Sequence, residues 1–140
     1  MTKKVWYAPN KFESYGEEEI KAVEECLRDG WLAGFGKRSE EFEKRTSILF
    51  GKKMGLFVNS GSSAILLALA ALDLPKGSEV VTPACGFATT VAPILQLGLV
   101  PKFCDVELKT YVPAPWHVVS AVTHRTKCVL IPNLIGNVPD

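Results

Sequence analysis

Paired cysteines, clustered histidines, basic runs and long apolar stretches are all missing from this chain of 140 residues. Its four cysteines, Cys26, Cys85, Cys104 and Cys128, are scattered, with no Cys-x-x-Cys pair. Neither His117 nor His124 completes a zinc spacing, so no metal site is expected. Cys104 and Cys128 lie in apolar, strand-like runs and read as buried free thiols. Cys85 lies in a loop at a strand end, with no partnering base to make it a nucleophile. The longest apolar stretch, Ala64–Leu72, is too short to cross a bilayer. At the start, Lys3 and Lys4 lead into polar Asn10-Lys11-Phe12-Glu13 rather than the apolar core of a signal peptide. Charge of one sign is also missing: 16 basic and 15 acidic residues leave a net +1. No basic run interleaves with aromatics, which removes support for nucleic-acid binding. There is no internal repeat or low-complexity segment. A cytoplasmic protein with no membrane partner is the expectation.

What is present suits one globular α/β domain: 47% apolar and 22% charged residues over a length that can bury a core. Ser14-Tyr15-Gly16-Glu17 resembles a capping box and opens a helix. Ile20, Val23 and Leu27 recur at helical spacing, and Gly30 is the stop. A second helix is expected from about Ser39 to Phe50, closed by Gly51. Between them lies the aromatic, glycine-rich loop Gly30–Gly36. Its Gly34-Phe35-Gly36 follows no strand and lacks a third glycine, so it is no dinucleotide fingerprint. From Met54 the rhythm changes to strands alternating with helices. Strands are expected at Met54–Val58, Glu79–Thr82, Val100–Val106 and Lys127–Ile131. Helices are expected at Ala64–Leu74, about Thr89–Leu97, and from the prolines Pro113 and Pro115 through Val122. That alternation argues for a mostly parallel sheet.

The junction Asn59-Ser60-Gly61-Ser62-Ser63-Ala64 lies between an expected strand and a long expected helix. Helix starts carry unpaired N–H groups and the positive end of the dipole, which suit a phosphate. Gly61 admits an anion close to the backbone, and Ser62 and Ser63 add hydroxyl donors. Read alone, the same residues are an ordinary serine N-cap. The surroundings bear on the choice, because open parallel sheets bind ligands at the C-terminal edge of their strands. Three loops are expected there: Asn59–Ser63, Ala84–Phe87 and Asn133–Asn137. Phe87 brings an aromatic to the second, to stack on a flat ring if it is not simply a core residue.

Four blocks carry a resemblance. They are Gly16-Glu17-Glu18-Glu19-Ile20 through Gly30-Trp31-Leu32 and Gly34; Asn59 to Ala64; Gly86-Phe87-Ala88-Thr89-Thr90-Val91; and Gly98-Leu99-Val100-Pro101-Lys102-Phe103-Cys104-Asp105-Val106. Together with Thr126-Lys127 and Gly136-Asn137, they resemble the DegT/DnrJ/EryC1/StrS sugar-nucleotide aminotransferase/dehydratase family. The resemblance implies the N-terminal part of an aspartate-aminotransferase-like (fold type I) large domain. Residues 1–52 would form a helical segment and 53–140 the first part of the domain that binds pyridoxal 5'-phosphate or pyridoxamine 5'-phosphate. It implies that Gly61 and Ser62, with Ser63 alongside, hold the cofactor phosphate and that Phe87 stacks on the pyridine. Thr89 and Thr90 match the pattern without an assignable contact. Trp31 and Gly34 would lie near a subunit interface. A nucleotide-sugar substrate and a homodimer are implied as well.

Within the family, Asn-Ser-Gly-Ser-Ser and Gly-Phe-x-Thr-Thr-Val look most like the CDP-4-keto-6-deoxyglucose 3-dehydratases, so 3-dehydration is expected ahead of 4-amination. Asn133 stands where the dehydratases have histidine. The resemblance puts the pyridine-nitrogen aspartate and the reacting lysine or histidine beyond residue 140, so no catalytic residue is expected within the chain. The last strand has no helix after it, as the first part of a longer protein would look. No cysteine cluster is visible for the iron–sulfur centre of some dehydratases. The alternative in a different class is a non-catalytic, phosphate-binding α/β module.

Overall fold

The computed structural model describes residues 15–140, which fall into two units, one ending at Phe57 and the other running from Val58 to Asp140. In the first unit, helix α1 (Glu17–Asp29) opens with Glu17, Glu18 and Glu19 and carries Arg28 in its last turn. Both signs complement the helix dipole. The Gly16 N–H donates to the Glu19 carboxylate at 2.6 Å, which holds that carboxyl below its usual range. Only this half of the box expected from Ser14 is present among the described residues, since Gly16 has no side chain to accept the Glu19 amide, and Ser14 itself lies outside them. Gly30, at φ +70°, ends the helix by donating its N–H to the Cys26 carbonyl. Helix α2 (Lys37–Leu49) follows, tied to α1 by an Arg38–Glu25 ion pair at 2.9 Å.

Met54–Val58 is the one expected strand that does not form. Strands require a ladder, and this segment bonds to α2 instead. The Phe57 N–H donates to the Glu43 carboxylate at 2.7 Å, and the Phe57 ring meets Phe42 edge-on at 5.1 Å. Gly55 makes the approach possible, since a Cβ there would sit 2.8 Å from the Glu43 carbonyl oxygen. An apolar run of five cannot reveal from sequence alone whether its neighbour is a strand or a helix.

The second unit alternates as expected: α3 (Gly61–Ala71), β1 (Glu79–Pro83), α4 (Ala88–Gln96), β2 (Val100–Cys104), α5 (Pro115–Ala121) and β3 (Thr126–Val129). The strands form a parallel sheet in the order β2-β1-β3. Central β1 is buried along its whole length, as a strand covered on both faces must be. Its Val80 packs with Leu69 of α3, Ile94 of α4 and Leu99. Val81, pointing the other way, packs with Cys104 and with Ala121 of α5. Helices therefore cover both faces, which is the expected α/β layering.

At the N-terminal end of β1, Glu79 is buried at 2% exposure. Its carboxylate accepts from Thr123 Oγ1 and from Arg125 Nη2, each at 2.6 Å. The Thr123 hydrogen bond, with Arg125 and Lys102 adding to it, holds the Glu79 carboxyl below the usual carboxylate range despite burial. β3 carries an irregularity here: Glu79 pairs with Thr126 and Val80 with Cys128, so Lys127 is the extra residue of a bulge.

Candidate functional site

Helix α3 begins at Gly61 because Ser60 caps it. The Ser60 Oγ accepts from the Ser63 N–H at 3.2 Å and lies 3.1 Å from the Ser63 hydroxyl. The Ser63 hydroxyl in turn donates to Asn59 Oδ1 at 2.7 Å. The Ser60 carbonyl accepts from the Ala64 N–H at 3.0 Å. The cap thus satisfies one of the amides that a helix start leaves unpaired, that of Ser63, and the regular helical bonds begin at Ala64. The amides of Gly61 and Ser62, the first two residues of the helix, have no acceptor among the described residues. A Cβ built on Gly61 would meet nothing within 4 Å. Capping and anion binding, alternatives in the sequence, are compatible in the structure. Asn59, Ser60 and Ser63 hold the turn; Gly61 and Ser62 face outward with two N–H groups and the Ser62 hydroxyl.

Phe87 is the N-cap residue of α4, accepting the Thr90 N–H on its carbonyl at 2.9 Å. Its side chain is 70% exposed, so in this chain it is not a core residue. Thr90 is buried on the first turn of α4, while Thr89 is half-buried. On β1, Thr82 is fully buried, and its Oγ1 has no partner among the described residues.

Chain direction brings the first two loops to one edge. The segments that follow α3 and α4 are joined by a hydrogen bond from the Gly77 N–H to the Gly98 carbonyl at 2.8 Å. The Val100 N–H likewise donates to the Ser78 carbonyl at the start of the sheet. Both helices thus end at the N-terminal edge of the strands, and both begin, at Gly61 and at Ala88, toward the opposite edge. The loop Asn133–Asn137, containing the short 3₁₀ turn Leu134–Gly136, leaves β3 at that same C-terminal edge. Order β2-β1-β3 makes β1 the strand on either side of which the connections diverge, the place where open sheets take their ligands.

A fourth loop, Asp105–Ala114, was not among those expected. It leaves β2 at the same edge and is bonded to the β3 loop, with Asn137 Nδ2 donating to the Thr110 carbonyl at 2.8 Å. Nothing in Leu108-Lys109-Thr110-Tyr111 announces a backbone turned to φ +59° at Tyr111, because tyrosine is not a residue that favours it. Trp31 and Gly34 belong to the first unit. There, the Trp31 indole N–H donates to the Phe35 carbonyl, and Gly36 makes room for the indole, its Cβ position being 2.9 Å from Trp31 Cδ1. Their loop borders an open cleft of about 910 Å³ between α1 and α2. Among the described residues no cluster of three His, Cys, Asp or Glu could hold a metal ion.

Residues 13–140 match the DegT/DnrJ/EryC1/StrS aminotransferase family. The chain belongs to that family. It is 41% identical over 130 residues to the lipopolysaccharide biosynthesis protein RfbH of Salmonella typhimurium, a match covering 87% of this chain and 30% of that protein. Against a dTDP-4-dehydro-2,6-dideoxy-D-glucose 3-dehydratase of Saccharopolyspora spinosa, it is 42% identical over 129 residues, covering 86% and 28%. The solved E. coli GDP-4-keto-6-deoxy-D-mannose-3-dehydratase with bound hydrated PLP superposes with a TM-score of 0.76 at 33% identity, covering 84% of this chain and 31% of that one. The chain thus spans about 30% of the curated relatives it matches. The structural match agrees with the fold type I, α/β expectation.

Proposed function

We propose that this chain is part of an enzyme that uses pyridoxal 5'-phosphate or pyridoxamine 5'-phosphate to remove the 3-hydroxyl from a nucleotide-linked 4-keto-6-deoxy sugar. The supporting observation is the pair of unpartnered amides at Gly61 and Ser62, at the same sheet edge as the exposed Phe87. Those residues fit a phosphate monoester: two N–H donors at a helix start, one free hydroxyl, and no Cβ in the way. Ser63 contributes by holding the turn, its hydroxyl being bonded to Asn59 and Ser60. Phe87 supplies an aromatic face that fixes the tilt of the ring and keeps water off one side of it. When bound, the cofactor acts as an electron sink for bond cleavage beside the sugar carbonyl.

Residues 53–140 then form the first part of the cofactor-binding domain, and the segment 1–52 precedes it, helical over Glu17–Asp29 and Lys37–Leu49. No residue of the 140 is assigned a proton-transfer role. The relatives described as 3-dehydratases support dehydration, and the Asn-Ser-Gly-Ser-Ser form of the cup agrees with them. The protein works as a homodimer in the cytoplasm, where Cys26, Cys85, Cys104 and Cys128 remain the free thiols seen in the structure. No helix among the described residues is long and apolar enough to cross a membrane.

The deciding experiment incubates the full-length protein, loaded with pyridoxamine 5'-phosphate, with nucleotide-linked 4-keto-6-deoxy sugars. Mass spectrometry should show loss of water from the sugar. A 4-amino product would instead make the protein an aminotransferase, and failure to retain the cofactor would overturn both readings.

A further inference from the structure

β1 is paired on both sides, and its backbone groups turn alternately to one neighbour and to the other. Toward β2, the Ser78 carbonyl accepts from the Val100 N–H and the Ala84 N–H donates to the Cys104 carbonyl, each at 2.9 Å. Toward β3, the Glu79 N–H donates to the Arg125 carbonyl at 3.0 Å, and the Val81 carbonyl accepts from the Leu130 N–H at 2.8 Å. By the same alternation Pro83 turns to β3. It has no N–H, so the next bond of that ladder, to the Leu130 carbonyl, cannot form. That carbonyl accepts no hydrogen bond among the described residues. Within sheets proline is confined to edge strands, strand starts and bulges, so one that ends a central strand on a paired side is out of place. Its effect falls on one side only. β1 stays tied to β2 as far as Ala84, while its ladder with β3 stops at Val81. Among the described residues, no hydrogen bond then joins the loop Ala84–Phe87 to the loop Asn133–Asn137.

We infer that Pro83 is a positioning residue for the cofactor: by withholding one donor, it keeps the loop that carries Phe87 apart from the loop that leaves β3. The inference rests on the proposed function. An N–H at position 83 would extend the β1–β3 ladder and draw the two outgoing loops alongside each other. That would close the separation a flat ring needs to reach the Phe87 face. Pro83 is buried, so it acts through these loops and touches no ligand itself. Pro101 in β2 is the internal comparison. The Val100 N–H and the Cys104 carbonyl turn to β1, so Pro101 by alternation turns to the outer side of β2. Its missing N–H takes nothing from the β1–β2 ladder.

The test uses the full-length protein and pyridoxamine 5'-phosphate, with binding read by equilibrium dialysis and absorbance. Pro83→Ala and Pro83→Val each supply the missing N–H. In both, hydrogen exchange should show a protected amide at position 83, as a ladder amide is. The Kd for the cofactor should rise about tenfold or more, with circular dichroism unchanged. Pro101→Ala should leave that Kd where it was. An unchanged Kd in both Pro83 variants, a freely exchanging amide at position 83, or loss of the fold in both overturns the inference and leaves the proposed function standing. An equal rise in Pro101→Ala overturns it too, because that proline faces away from β3. If the unaltered protein does not bind the cofactor, the proposed function falls and this inference falls with it.

Discussion

Each residue at the head of α3 has a distinct task, and substitutions should separate them. Ser60→Ala removes the cap from the Ser63 amide and should cost about 1 kcal/mol of stability, measured by denaturant unfolding. Gly61→Asp places a carboxylate where the phosphate oxygens would lie. It should abolish cofactor absorbance in the full-length protein after gel filtration, with the fold retained by circular dichroism. Retention equal to that of the unaltered protein would sink the phosphate assignment. Phe87→Ala should weaken cofactor binding by about 1 kcal/mol, roughly fivefold in Kd, because an exposed ring contributes stacking and little to the core. Cys104 is a useful contrast: burial raises its thiol pKa, so it should react far more slowly with iodoacetamide than an exposed thiol would. Cys128, expected to be buried, is only half so.

At the scale of elements, β3 owes part of its register to the Glu79 carboxylate. Glu79 has a lowered pKa when folded, so its contribution is present above the pKa of the unfolded chain. It is lost as pH falls through the folded value. Stability should therefore decline on acidification below about pH 4.5, and Glu79→Gln should flatten that part of the profile. Urea unfolding at stepped pH would show this, and parallel curves for the two proteins would refute it. Met54–Val58 illustrates the limits of reading elements from a string. Its composition is that of a strand, but the Gly55 approach to Glu43 and the Phe57–Phe42 contact make it a strap on α2. Gly55→Ala drives a Cβ into a backbone carbonyl and should destabilise the first unit by more than 1 kcal/mol, seen as earlier loss of its helical signal on heating. By contrast, the helices and the three strands of the second unit were legible because caps, glycine stops and proline starts bracket them. Gly98, at φ +71°, and Pro115, at the head of α5, are two such marks.

Taken whole, the chain leaves much apolar surface open. Leu108 is 91% exposed, Met54 85% and Leu49 78%, and Ile20, Val23 and Leu27 of α1 all lie open to solvent. The 140-residue chain expressed alone should self-associate and brighten a hydrophobic dye, and a monodisperse, dye-silent monomer in sedimentation would contradict this. Much of the candidate site was legible as well, since phosphate-type loops announce themselves through glycine and serine at a helix start. The strained turn at Ile135 and the bond from Asn137 to Thr110 were not legible, because no local residue preference encodes them. They arise from two loops that sequence separates and the sheet brings together.

The bond between Gly77 and Gly98 works as a clasp for the pair α3 and α4. It ties the segments beyond their tails, while Leu69 and Ile94, packed in one core with Val80 and Leu99, hold their bodies together. α3, with 11 residues, is about 16 Å long, so its head stands well away from the clasp. Close packing along that length sets the spacing between the two helix starts, far from the residues that would meet a ligand.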